Sequence, residues 1–322
     1  MIQPDVSIII PVYNTADYVQ EAVLSIMNQT LPNTEIIVIN DGSTDRSLDI
    51  LERLADQDQR IRIFSQENQG LSSARNAGMA HCSGKYVYFM DSDDLLESDA
   101  LLLCFEKSEK EKLDFLFFDA ESFGPKELLE GHFNYDRAKL VQDRIYQGAE
   151  ILELLLDRKI YRASVCLNFI NHAFLTNTRL TFFPGIIHED ELFTGLMYLK
   201  AERVGCIKRD FFKRRVRQGS IMAGKYTFWN IMSYMTVAAG LDAGSDDTPG
   251  NRQVTVKLLR YILNPSIYNA HVLSFRERMK VFEICLRKSY LKYLTLKNVA
   301  VLLFPFLIAS KQIIKRRLNG FS

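Results

Sequence analysis

Residues 89–94 read FMDSDD, which sets Asp91, Asp93 and Asp94 directly behind the apolar run YVYFM. Carboxylates crowded at a strand end repel one another unless a cation or several N–H donors stand among them. An all-oxygen donor set suits Mg2+ or Mn2+, and magnesium sites commonly join one or two carboxylates to substrate phosphates. In an extended segment Asp91 and Asp93 share a side while Asp94 points elsewhere. The same letters also describe a solvated turn capping a helix near Ser98 and Asp99, so the motif alone leaves both readings open.

Further stretches add chemistry at similar places. In INDGSTD, Asp41 precedes Gly42, where a short acid can accept from an imide N–H or a ribose hydroxyl. The alternative is a tight turn followed by a helix capped by Ser43, Thr44 or Asp45. In QGLSSARNAG, Gly70 opens a predicted helix with Arg75 and Asn76 in its first turns, a suitable place for a diphosphate. HEDE places Glu189, Asp190 and Glu191 at a helix start, where acids are also expected on dipole grounds alone. Lys213, Arg214, Arg215 and Arg217 read as a basic surface strand, and His172 and His188 lack partners at metal-ligand spacing.

The elements that must position these groups alternate over the first 120 or so residues in the rhythm of β-α units around a mostly parallel sheet, which makes the fold class α/β. Predicted strands are VSIIIPV (6–12), EIIVIN (35–40), IRIFS (61–65), YVYFM (86–90) and FLFF (115–118). Their mostly apolar runs imply cover on both faces. Val19, Ala22, Val23, Ile26 and Met27 predict a helix with Thr15 as N-cap, Leu48 to Leu54 a second, and Leu71 to His81 a third. Ligands of open parallel sheets gather beyond the carboxyl ends of strands, and those ends read YN, DGSTD and DSDD.

In their order and spacing, VSIIIPVYN, VINDGSTD, NQGLSSARNAG and YVYFMDSDD resemble the family 2 glycosyltransferases of the GT-A fold. The resemblance implies a nucleoside-diphosphate sugar donor, an inverting transfer, and Mn2+ or Mg2+ held by the D-x-D element. It implies that Pro11 and Tyr13 lie against the nucleoside and Asp41 reads the base, with uracil favoured. It also places Arg75 on nucleoside or diphosphate, Asp91 and Ser92 on ribose or sugar, and Asp93 with Asp91 on the metal. Asp190 is the first candidate for general base and Glu189 the second, because the attacking hydroxyl must lose its proton. A saccharide acceptor in cell-surface glycan synthesis is the expectation, and a lipid-linked saccharide would fit a membrane location of the basic C-terminal tail. A catalytically inactive sugar-nucleotide-binding scaffold is the alternative.

The domain reading is a GT-A domain over 1–225, split near 120 into nucleotide-sugar and acceptor halves, and a helical region over 226–322. With 40 Lys and Arg against 39 Asp and Glu, the formal charge of +1 offers no field for nucleic acid. Five scattered cysteines without a C-x-x-C pair suit a reducing compartment. After Glu283 no acid occurs, while Arg287, Lys288, Lys292, Lys297, Lys311, Lys315, Arg316 and Arg317 all do. The apolar run Val299 to Ala309 is too short to span a bilayer, which needs about 20 residues. The expectation is a cytoplasmic protein in peripheral contact with the inner membrane face through this tail.

Overall fold

The computed structural model describes residues 3–129, 135–217, 226–245 and 248–305. The chain divides into two compact units, one of Met1–Gly185 with Glu189–Ser220, the other of Ile186–His188 with Ile221–Ser322.

The first unit opens β1 (Val6–Val12), α1 (Val19–Met27), β2 (Thr34–Asp41), α2 (Ser47–Ala55), β3 (Ile61–Gln66), α3 (Leu71–Ala80) and β4 (Tyr86–Phe89). It continues with β5 (Leu95–Leu96), α4 (Ala100–Glu111), β6 (Phe115–Phe117), β7 (Ala120–Phe123), α5 (Lys126–Leu129) and α6 (Gly148–Asp157). Next come β8 (Asn168–Asn171), α7 (His172–Thr178), α8 (Glu189–Lys200), β9 (Val204–Cys206) and β10 (Phe212–Arg215). The central sheet has seven strands in the order β3-β2-β1-β4-β8-β6-β9, parallel except for β8, which runs antiparallel to both β4 and β6. β8 lies in the stretch where the sequence rhythm loosens, and its four residues are too short to show a period. Every residue of β1 and β2 is buried, as continuous apolar strands inside an α/β sheet must be.

Glycine sets how closely α3 lies on the sheet. A Cβ on Gly78 would sit 2.3 Å from Cγ2 of Ile9, so only a residue without a side chain lets this helix rest on β1. Arg75, one turn earlier, is thereby brought to the carboxyl edge of the strands.

The predicted cap of the first helix is replaced. The N-cap of α1 is Tyr18, and the Thr15 carbonyl accepts from the Tyr18 and Val19 N–H groups. The Thr15 hydroxyl instead donates to Ser92 Oγ at 3.0 Å, a link across 77 positions that a local capping rule cannot see.

A second, three-stranded sheet has the order β5-β10-β7. β10 runs antiparallel to β5, just behind the DSDD turn, and parallel to β7. The second unit is helical, with α9 (Phe228–Gly244), α10 (Pro249–Asn269), α11 (Phe275–Arg287) and α12 (Leu296–Leu303). Capping boxes open α9 at Thr227 with Asn230 and α11 at Ser274 with Glu277. Among the described residues no helix is long and apolar enough to cross a membrane. Lys311, Lys315, Arg316 and Arg317 lie outside them, as does part of the apolar run before them.

Candidate active site

The strand exits of β1, β2 and β4 meet through their loops. Asn14, at a positive φ of 50°, accepts from the Thr44 N–H through its Oδ1 at 2.8 Å, while its own N–H donates to Ser43 Oγ. Pro11 lies inside β1 in register with Ile39, whereas Tyr13 is 49% exposed. Asp41 is buried and holds the loop before α3, with Oδ1 accepting from Gln66 Nε2 at 2.7 Å and the Gln69 N–H at 2.9 Å, and Oδ2 from the Gly70 N–H at 2.8 Å.

At the β4 exit the chain turns at Ser92 and Asp93, so the strand-like alternation expected for Asp91 and Asp93 does not apply. Repulsion among the acids, with arginines available to each, favours separate placements. Asp91 Oδ1 accepts from Arg75 Nη2 at 3.0 Å, and Asp93 Oδ2 from Arg217 Nε at 2.8 Å. Asp94 is buried and accepts from the Arg215 N–H at 2.6 Å. Burial, then the neighbouring Asp91 and Asp93 charges, push its carboxyl up to about 8.

Arg75 is the hub of the arrangement. Its side chain is 2% exposed and its Nη1 reaches Glu189 Oε1 at 3.0 Å and Asp190 Oδ1 at 2.8 Å, so it joins Asp91 to the start of α8. Burial works against its charge, but the carboxylates of Asp190, Asp91 and Glu189 outweigh that and hold its pKa above the ordinary value. The guanidinium lies 5.1 Å from the Phe182 ring centroid, and Asn76 clasps the Phe182 backbone from both sides at 2.8 and 2.9 Å. These contacts hold Phe182 against α3.

The α8 acids resist ionisation. Burial, then Asp190, push Glu189 up to about 7 against the opposing pull of Arg75. Burial and Asp91 likewise raise Asp190, with Arg75 again opposing, and its Oδ2 accepts from the Val165 N–H at 3.4 Å. Glu191 is raised to about 7 by burial and Asp190, and its Oε2 is buried without a hydrogen-bond partner.

The basic segment is not the surface strand expected from sequence. Besides the Arg217 pair, Arg215 Nε donates to the Asp93 carbonyl at 2.8 Å, and both guanidinium groups lie close to the Tyr18 ring. Arg214 Nη1 donates to the Tyr135 hydroxyl at 2.6 Å. Three nearby acids, Asp91, Asp93 and Asp94, with no cation between them were the available signal, because buried or half-buried carboxylates need partners.

The donor set at the β4 exit fits a divalent cation. It is all oxygen, and after burial the neighbouring Asp91 and Asp93 charges, which a cation would offset, raise the Asp94 carboxyl. A separate acidic group, Asp119, Asp136 and Asp210, already contains the Lys139 ammonium, paired with Asp136 at 3.2 Å and Asp210 at 2.5 Å.

Residues 7–151 match the model of glycosyl transferase family 2. The chain is 31% identical over 224 residues to the glycosyltransferase GlyA of Streptococcus pneumoniae, covering 69% of this chain and 32% of that protein, so it spans about a third of that relative's length. In fold it is similar to Staphylococcus aureus TarS 1–349 solved with UDP-GlcNAc, at a TM-score of 0.67 and 18% identity, over 85% of this chain and 83% of that one. It is also similar to the mannosyltransferase PcManGT of Pyrobaculum calidifontis solved with GDP-Man and Mn2+, at a TM-score of 0.59 and 15% identity, covering 95% and 87%.

Proposed function

We propose, from the premise that the chain belongs to glycosyl transferase family 2, that it moves a sugar from a nucleoside diphosphate, with UDP favoured, to a hydroxyl of a saccharide or lipid-linked saccharide, inverting the anomeric centre. One observation carries this reading. The Arg75 guanidinium ties Asp91, on the donor side, to Glu189 and Asp190, on the acceptor side, within the reach of a single side chain.

In this reading Tyr13 stacks on the base, Asp41 and its loop line the nucleoside, and Asp91 with Ser92 holds ribose or sugar. Pro11 supports Tyr13 from within the sheet. Asp190 accepts the proton of the attacking hydroxyl as its oxygen bonds to the anomeric carbon, and the bond from that carbon to the diphosphate oxygen breaks in the same displacement. Glu189 is the second candidate. A carboxylate raised toward neutrality is well matched to this task, because a base works best with a pKa near the working pH. Asp93 with Asp91 would hold Mn2+ or Mg2+, which supplies positive charge for the departing diphosphate. Arg75 acts through the acids it positions, and Arg217 and Arg215 balance the charge of the Asp93 turn.

A cytoplasmic location at the inner membrane face belongs to the same reading, supported by the acid-free, basic C-terminal sequence. The deciding experiment is a thermal-shift panel of UDP- and GDP-sugars with and without Mn2+, followed by transfer assays with the donor that binds. Stabilisation by one nucleotide sugar, enhanced by Mn2+, is the expected result. No shift with any donor refutes the reading, and binding without turnover on any acceptor favours the scaffold alternative.

A further inference from the structure

The second unit carries one apolar helix face that is only half covered. Along α12, Asn298, Val301 and Leu302 are buried, while Leu296, Val299, Ala300 and Leu303 recur at the spacing that shares the opposite face. Leu296 is 89% exposed. At the other end of the helix Arg278 donates to the Leu302 carbonyl at 3.0 Å and the Leu273 carbonyl at 2.6 Å, with its guanidinium 5.8 Å from the Phe275 ring. Arg278 thus ties α11, which begins with Phe275, 65% exposed, and follows Val272, 56% exposed, to the last turn of α12, after which comes Phe304, 50% exposed. Four large apolar side chains, Leu296, Phe275, Val272 and Phe304, are thus half or more exposed on α12 and the segments that Arg278 joins to it.

We propose that this face, from Leu296 to Phe275 and Phe304, lies on a bilayer surface bearing anionic headgroups. The occupant follows from charge. Arg287, Lys288, Lys292 and Lys297 lie in the described part of a sequence that has no acid after Glu283, and four more cations follow beyond it. A second copy meeting this region about a two-fold axis would set like charges together, whereas an anionic lipid surface complements them and accepts the apolar residues. The inference deepens the membrane location in the reading above and rests on that location alone, independent of the transfer chemistry.

The test is co-sedimentation of the full chain with vesicles of phosphatidylglycerol and phosphatidylcholine, against phosphatidylcholine alone, at low and high salt. Binding to the anionic vesicles only, weakened by salt, is expected. Leu296→Glu and Phe275→Ser should each lower partitioning by roughly tenfold or more, the scale of one exposed apolar anchor. Melting temperature should stay unchanged for both, since both side chains stand in solvent. The proposal is overturned if the full chain ignores anionic vesicles or if both variants bind as the parent does. It is equally overturned if sedimentation velocity shows a dimer that Leu296→Glu dissolves. Donor thermal shifts recorded on the same proteins separate the two readings, because a missing donor response with intact vesicle binding refutes only the transfer reading.

Discussion

Arg217 donates from Nε to Oδ2 of Asp93 at 2.8 Å, so a proposed metal ligand carries its own counterion before any metal arrives. Both side chains are about a quarter exposed, which limits the pair to the lower range of ion-pair energies, about 1 kcal/mol. Arg217→Ala should therefore tighten Mn2+ binding by about fivefold, read by titration calorimetry without donor. Asp93→Asn should nearly abolish transfer while circular dichroism and melting temperature stay close to the parent's. Full activity of that variant would remove Asp93 from the metal site.

Arg75 is the most consequential single residue. Removing one partner from a buried charge cluster typically costs about 3–5 kcal/mol, because the carboxylates left behind lose their compensation. Arg75→Ala should lose stability on that scale in urea denaturation. Arg75→Lys keeps the charge but not the planar fork that reaches Asp91, Glu189 and Asp190 together. It should regain part of the stability and little of the turnover.

For Asp190→Asn the expected loss is about 10²–10⁴-fold in kcat with donor binding retained, the range of a positioned general base. Glu189→Gln should cost less. Reversal of that order would exchange their roles, and loss of donor binding in Asp190→Asn would move Asp190 away from the acceptor.

Glu191 fixes a pH dependence. Its ordinary value of 4.5 rises to about 7 in the fold, so between these pH values the folded state holds a proton that the unfolded chain has released. This contribution to stability is fully present below the unfolded value and is lost as pH rises through the folded one. Without metal or donor, urea midpoints should fall between pH 5 and 8, and Glu191→Gln should flatten the slope. An unchanged slope in that variant would place the titration elsewhere.

Gly78→Ala tests the seating of α3. The added methyl meets Ile9 in the core, and overpacking of this kind costs about 1–3 kcal/mol. Because Arg75 lies one turn earlier, turnover should fall further than the stability loss explains.

Much of this was legible in sequence because the early strands state their burial in every residue. β1 falls on VSIIIPV as predicted, and α1 and α3 agree with their periodicity to within a residue. What stayed hidden is long-range. Thr15 spends its hydroxyl on Ser92 and not on a helix end, and β8 slips in antiparallel through a four-residue stretch. Arg215 and Arg217 reach the Asp93 turn because β10 pairs with β5, a register no local pattern encodes. The alternation rule failed at Asp91 and Asp93 because it presumes an extended chain where this one turns. In each case the deciding contact joins residues more than 70 positions apart or depends on how charge is shared among neighbours.

The late arrival of β10 bears on how the molecule is made. While the chain leaves the ribosome from its N-terminus, the acids after β4 emerge more than 120 residues ahead of Arg215 and Arg217, which bind the Asp93 turn. Until those arginines follow, the nascent sheet carries an unbalanced anionic rim, so a fragment ending after residue 151 should not be expected to keep its donor loops in native order.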